Sequence, residues 1–143
     1  MRRHPSLIPF SKQHHHILVL AQLLKVDVPD YKGMPQNPVD KLEFCQGQFE
    51  QYVLPKMEAH RRVFYPQLKI WGFSMWQLVE NIKEKEEQLL VDYKALDSQS
   101  PALENALNDL GYLLDEWVRI KERKLYEAVQ AQFDEALGTL DFK

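Results

Sequence analysis

Three consecutive histidines open an apolar stretch near the start of the chain. They are His14, His15 and His16, within SKQHHHILVL at residues 11–20. Imidazole is the commonest metal ligand among side chains, so the run raises the question of a metal site. On a helix, however, successive side chains point about 100° apart, so the three rings cannot bind one ion together. Only His14 falls on the same apolar face as the residues that follow it.

Other residues able to do chemistry occur at helical spacing later in the chain. Lys56 and His60 stand four apart in LPKMEAHRR, and Trp117 and Lys121 stand four apart in DEWVRIKERK. A spacing of four places both members of each pair on one helix face. On the third predicted helix the inner face includes either Lys85 or Glu86 in KEKEE, and Lys85 is the candidate.

Composition narrows the function classes. The 143 residues predict a single domain, 1–143, and 45% hydrophobic with 27% charged residues is typical of a soluble globular protein. A net charge of −3 gives no electrostatic case for binding nucleic acid, which would require a concentrated basic face. The single cysteine, Cys45, excludes an internal disulfide and a multi-cysteine metal site. No apolar run is long enough for a membrane span, and the N-terminus is a poor signal peptide, so we expect a cytoplasmic protein without membrane partners.

The elements that must position these residues are helices. The chain has only 5 glycines, and its apolar residues recur every three or four positions. Start and stop signals predict four helices. The first runs from Ser6 to Lys25, and the second runs from Pro38, capped by Asn37, to Ile70 with a kink at Pro55. The third opens with a Ser74–Gln77 capping box, and the fourth runs from Ser100–Pro101 to Gly138. Each helix has one apolar stripe and most connections are short. We therefore predict an all-α, up-down-up-down four-helix bundle.

With these motifs in place, the chain resembles the hemerythrin-like family of bacterial four-helix bundles over nearly its whole length. RHPSLIPFSKQHHHILVLAQLLK is similar to the family's first helix, in which a Ser-x-x-His segment supplies an iron ligand. FEQYVLPKMEAHRRVFYPQL resembles the second, which typically reads Leu-Pro-His-x-x-x-Glu, and LLDEWVRIKERKLYEAVQ resembles the fourth, typically His-Val-x-x-Glu-Glu-Arg-x-Leu-Phe-Pro.

The resemblance also implies where iron ligands would stand. In the family, histidines from all four helices hold two carboxylate-bridged irons, with a His-x-x-x-Glu pair on the second and fourth helices. Residue by residue, the ligand positions fall on His14, Lys56, His60, a position near Lys85, Trp117 and Lys121. Of these six, only His14 keeps the expected residue type.

The replacements remove the chemistry that iron requires. A lysine ammonium has three donors and no lone pair, and tryptophan offers no ligand atom. We therefore predict that the di-iron site is lost and that no cofactor is bound. In its place we expect a remodelled core of Lys56, Lys85, Trp117 and Lys121, with the lysines paired to nearby glutamates. The candidate partners are Glu58, Glu84, Glu86, Glu116 and Glu122. A narrower version of this hypothesis has the lysines line a small anion site.

Three functions from different classes follow. The first is a binding or structural module, not an enzyme, whose partner the sequence does not identify. The second is a reduced metal protein that binds oxygen or nitric oxide or handles iron. Its iron or zinc would sit on His14 and His60 with one of Glu84, Glu86 or Glu116. The third is a metal-dependent enzyme resembling the DinB-like proteins, which use three histidines, whereas the third and fourth predicted helices contain none. We favour the first.

Overall fold

The computed structural model describes residues 2–29 and 33–140. Within these residues the chain forms four helices, joined by connecting segments, and no strand. Helix α1 is Ile8–Leu24 and helix α3 is Trp76–Lys94. Helix α2 is a run of five consecutive segments: Pro38–Gln48, Phe49–Val53, Leu54–Ala59, His60–Phe64 and Tyr65–Ile70. Helix α4 is a run of three: Leu103–Ile120, Lys121–Leu125 and Tyr126–Leu137, with a kink at Phe133. The predicted all-α four-helix bundle is confirmed.

Contacts between side chains show that neighbouring helices run antiparallel. Between α1 and α4, His14 meets Glu122 whereas Lys25 meets Asp115, so the partner number falls as the first number rises. The pairs Tyr65–Glu86 and Phe49–Tyr93 show the same order between α2 and α3. The pairs Phe10–His60 and His16–Tyr52 show it between α1 and α2, and Ser74–Gln132 and Lys85–Glu116 between α3 and α4. The order is therefore up-down-up-down.

The helix ends follow their predicted signals in part. Asn37 caps α2 as expected, because its side chain accepts a hydrogen bond from the Asp40 N–H at 2.9 Å. The predicted Ser74–Gln77 capping box is wrong. Helix α3 begins at Trp76 without a side-chain cap, Ser74 Oγ instead accepts from Gln132, and Gln77 donates to Asn81. The long-range bond to α4 takes the hydroxyl that the cap would have used.

Three segments within residues 2–29 and 33–140 are π-helical, which means that a turn is widened by one residue. They are Phe49–Val53, His60–Phe64 and Lys121–Leu125, and each is closed by a bond between residues five apart, such as Tyr126 N–H to Lys121 O. In α2 a proline, Pro55 or Pro66, stands two residues after the π segment ends. A proline ring clashes with the carbonyl four residues earlier, and a wide turn relieves that clash. Where the sequence predicts a kink at Pro55, the structure instead has a π turn just before the proline.

The interior divides into two regions along the bundle axis. The first, which we call the apolar half, joins the end of α1, the start of α2, the end of α3 and the start of α4. Its members are buried and apolar: Leu20, Leu24, Leu42, Cys45, Phe49, Leu89, Leu103, Leu107 and Leu110. Cys45 lies here as a buried small side chain, and burial raises its thiol pKa to about 12. The second region is described below. Within the described residues, no helix is both long and apolar enough to cross a bilayer.

Candidate functional site

A layer of polar side chains crosses the other half of the bundle. We call it the polar layer, and its members come from all four helices: His14, Lys56, His60, Tyr65, Glu86, Trp117, Lys121, Glu122 and Tyr126. All of them except Glu122 are almost completely buried. Such groups are stable inside a protein only when hydrogen bonds or charges compensate them. The partner of each one therefore decides what the layer can do.

His14 is held by a carboxylate on the facing helix. Its Nδ1 lies 2.6 Å from Glu122 Oε1, and Arg3 donates to the other oxygen of Glu122 at 2.9 Å. Burial would raise the pKa of Glu122, but the bond with His14 and the charge of Arg3 lower it to about 2. Burial lowers the pKa of His14 to about 3, although the bond to Glu122 opposes this. His14 is thus a neutral imidazole that donates from Nδ1, and its Nε2 lone pair has no hydrogen-bond partner among the described residues.

His60 has both ring nitrogens engaged. Nδ1 lies 3.1 Å from the Lys56 carbonyl, and Nε2 lies 2.8 Å from the Tyr126 hydroxyl. Burial, with the charges of Lys121 and Lys56 adding to it, lowers the pKa of His60 well below its ordinary value. Burial also raises the pKa of Tyr126, so that hydroxyl keeps its proton. The neutral ring therefore donates to the carbonyl and accepts from the tyrosine.

The two lysines predicted to face inward on α2 and α4 are buried. Lys56 is 1% exposed, and its ammonium donates to the Phe10 carbonyl at 2.6 Å. Lys121 is 0% exposed, has no hydrogen-bond partner in the described chain, and lies 4.1 Å from the centre of the Trp117 ring. Burial lowers the pKa of Lys121 to about 7, against the charges of Glu86 and Glu122, which raise it. Burial and the charge of Lys121 lower the pKa of Lys56 well below its ordinary value.

The predicted pairing of these lysines with glutamates needs correction. Neither buried lysine forms a direct ion pair within the described residues, because Glu122 bonds to His14 and Arg3 and Glu86 bonds to Tyr65. The other predicted partners, Glu58, Glu84 and Glu116, are exposed. The two lysines interact with carboxylates only across a distance, and an aromatic ring and a backbone carbonyl take the direct contacts.

On α3 the inward position belongs to Glu86 and not to Lys85. Glu86 is 2% exposed and accepts from the Tyr65 hydroxyl at 3.0 Å. Lys85 lies at the surface and pairs with Glu116 at 3.4 Å. Ile82, Glu86 and Leu89 follow one helix face at spacings of four and three, and Lys85 falls one residue off it. The sequence alone places either residue inward, and the choice of Lys85 was wrong.

Two tyrosines in the layer were missed by the sequence analysis. Tyr65 stands five residues after His60, and Tyr126 stands five residues after Lys121. In a regular helix a spacing of five turns a side chain about 140° away from the first. The π segments His60–Phe64 and Lys121–Leu125 fill these intervals and bring both tyrosines back to the interior. Helices α2 and α4 thus carry the same pattern, inward residues at spacings of four and then five.

The donors in the layer do not fit a pair of irons. Of the two histidines at the expected ligand positions, only His14 presents a free ring-nitrogen lone pair, because both nitrogens of His60 are hydrogen-bonded. Within the described residues, no group of three or more histidine, cysteine, aspartate or glutamate side chains is arranged to hold a metal ion. Trp117 Nε1, also without a partner there, is a donor and not a ligand.

Outside the layer, His15 and His16 are exposed, and His16 stacks on Tyr52 with ring centres 4.5 Å apart. The three histidines of the opening run therefore point into different surroundings, as the helical geometry predicts.

Comparison of the chain with protein-family models, with curated proteins and with solved structures gave no significant match.

Proposed function

We propose that this chain is a hemerythrin-like four-helix bundle that has lost its di-iron site and acts as a binding or structural module. In this proposal it is a cytoplasmic protein that needs no cofactor and catalyses no reaction. The family likeness rests on the sequence motifs given above. The observation that carries the loss of metal is the burial of Lys56 and Lys121 in the polar layer.

The two buried lysines oppose a metal in either protonation state. A protonated amine repels a cation. The repulsion energy of two unit charges about 4 Å apart is roughly 4 kcal/mol at an effective dielectric constant of 20. A neutral amine still fills the volume that an ion and its ligands require. Two carboxylates reach the layer, and both are already hydrogen-bonded, Glu86 to Tyr65 and Glu122 to His14 and Arg3. Little negative charge is left to neutralise two irons.

Elemental analysis and visible absorption of untagged protein, expressed with iron supplied, test this proposal. We expect much less than one metal ion per chain and no visible absorption band. A variant with Lys56→His, His60→Glu, Trp117→His and Lys121→Glu is the matched control, since it supplies the residue types that the family uses on α2 and α4. Circular dichroism establishes whether that variant is folded. About two irons per wild-type chain, with oxo-bridge absorption, would contradict the proposal.

A second candidate function, a reduced single-metal protein, is favoured by the surroundings of His14. A carboxylate on Nδ1 and a free lone pair on Nε2 match the arrangement in which an acid orients a metal-bound histidine. Glu86 Oε2, also without a hydrogen-bond partner among the described residues, is the candidate for a second ligand in the layer. About one zinc or iron per chain that is lost in His14→Ala but kept in His15→Ala would establish this function instead.

A further inference from the structure

A cleft between α2 and α3 on the outside of the bundle has features that the polar layer does not explain. Its volume is about 240 Å³. Arg61 and Lys69 line it from α2, and Trp76, Glu80 and Lys83 line it from α3, with Tyr65 contributing to its wall. Arg61, Tyr65 and Lys69 follow one another at spacings of four, so one face of α2 supplies both of its cations.

The cations of the cleft are mostly unpaired. Lys83 lies 4.0 Å from Glu80, at the limit of an ion pair. Arg61 and Lys69 form no ion pair with any carboxylate in the described chain. Three positive side chains against one carboxylate give the cleft an excess of two positive charges, in a protein whose net charge is −3. A local positive potential within an acidic protein attracts anions to that place selectively.

An aromatic surface stands next to these charges. Lys69 Nζ lies 5.6 Å from the centre of the Trp76 ring, which is only partly buried. The Tyr65 hydroxyl is not available to a ligand, because it donates to the buried Glu86. A ligand in the cleft would therefore meet an indole ring and positive donors but few acceptors. Two larger clefts differ in this respect: Asp40 and Glu43 line one, and Glu43 and Asp97 line another.

We propose that this cleft binds a small anion attached to a flat apolar group, with an aryl phosphate as the simplest example. The Arg61 guanidinium and the Lys69 ammonium bind the phosphate oxygens, since a guanidinium presents paired N–H donors that match them. The ring of the ligand packs on Trp76. Glu80 stays paired with Lys83 at the edge. This inference is independent of the absence of metal from the polar layer.

Titration with phenyl phosphate, followed by NMR through the backbone amides and the Trp76 indole N–H, tests the proposal. At pH 7.5 and low salt we expect saturable shifts confined to α2 and α3 around the cleft, with a Kd below about 1 mM. Arg61→Gln should weaken binding by about tenfold or more, because it removes a charged donor. The affinity should fall as salt is added.

Two matched comparisons separate a formed site from nonspecific attraction. Lys124→Gln removes an exposed lysine on α4 that does not line the cleft, and it should leave the Kd unchanged where Lys69→Gln raises it. Inorganic phosphate should bind several-fold more weakly than phenyl phosphate, and Trp76→Leu should abolish that difference. All three substitutions are at exposed or half-buried positions, and circular dichroism verifies the folding of each variant.

Three results would overturn the proposal. The first is the absence of saturable shifts up to 10 mM ligand (roughly a tenfold excess over the weakest expected Kd). The second is equal weakening by Lys124→Gln and Lys69→Gln, which would mean that surface charge alone attracts the anion. The third is equal affinity for phenyl phosphate and inorganic phosphate, which would remove Trp76 from the site.

Discussion

The apolar half and the polar layer are built by the same four helices but are stabilised differently. In the apolar half, the hydrophobic core is made of leucines, Cys45 and Phe49, so burial itself supplies most of the stabilisation. In the polar layer, two lysines and two histidines are equally buried, and burial, with the charge of Lys121 adding to it, lowers the pKa of both Lys56 and His60. Removing a charge from water is costly, so the layer reduces the stability that the apolar half provides. A bundle can carry such a layer only when the rest of its core is well packed.

The largest expected effect comes from a cavity in the apolar half. Phe49 is 0% exposed and stacks on Tyr93 with ring centres 4.0 Å apart. Phe49→Ala should lower the free energy of unfolding by about 3–5 kcal/mol, as measured by urea denaturation. Val91→Ala is the control, since Val91 is 61% exposed on the neighbouring helix and should change stability by less than about 0.5 kcal/mol. A loss below about 1 kcal/mol for Phe49→Ala would mean that the apolar half is not the main source of stability.

The next effect has the opposite sign and lies in the polar layer. Lys121→Met should raise the free energy of unfolding by about 1–4 kcal/mol at pH 6, because an apolar side chain of similar length replaces a buried amine. The pKa of Lys121 is about 7 in the folded protein, whereas a lysine that is not buried, as in the unfolded chain, has a pKa of 10.5. Between these values the unfolded chain binds a proton that the folded protein does not, so wild-type stability rises with pH. The gain from Lys121→Met should therefore be complete below pH 7 and shrink towards pH 10.5.

Urea denaturation of both proteins from pH 6 to pH 10 measures this difference. Lys85→Met is the matched variant, a lysine replaced in the same way at the surface, where its pair with Glu116 contributes less than about 1 kcal/mol. If the free energy of unfolding depends on pH in the same way for Lys121→Met and the wild type, the amine of Lys121 is hydrated and the polar layer does not lower the stability of the fold.

A smaller effect concerns how closely α1 and α4 approach in the apolar half. A Cβ added at Gly111 would lie 2.7 Å from the Ala21 carbonyl oxygen and 3.1 Å from Leu24 Cβ. Gly111→Ala should therefore lower stability by about 1–3 kcal/mol, despite the better helix propensity of alanine. Gly47→Ala is its counterpart, since nothing lies within 4 Å of that Cβ, and it should stabilise by about 0.5–1 kcal/mol. Thermal and urea denaturation compare the two. Stabilisation by both would mean that the helices can separate without loss.

The sequence predicted the apolar half better than the polar layer. Apolar residues at three- and four-residue intervals identify the four helices and their inner faces, because burial is what that periodicity reports. The same periodicity correctly turns His14, Lys56, His60, Trp117 and Lys121 inward.

Periodicity failed where a single residue decides the face. Lys85 and Glu86 are adjacent, and the apolar pattern of α3 tolerates either one inward. The bond between Glu86 and Tyr65, which favours the glutamate, joins residues 21 positions apart and leaves no local signal. The bond between His14 and Glu122 joins residues 108 positions apart and cannot be predicted from a local pattern either. Partners across the bundle follow only from the packing of whole helices.

The wide turns of α2 and α4 also bear on how such a sequence tolerates insertion and deletion. In a regular helix, inserting one residue rotates every later side chain by about 100° and would move half of a core face into water. A π segment confines the surplus residue to one turn, so the helix on both sides keeps its orientation. Removing one residue from Lys121–Leu125 would therefore restore a regular helix and keep Trp117 and Val129 packed. Each wide turn is a place where these helices can change length by one residue while both ends of the bundle stay intact.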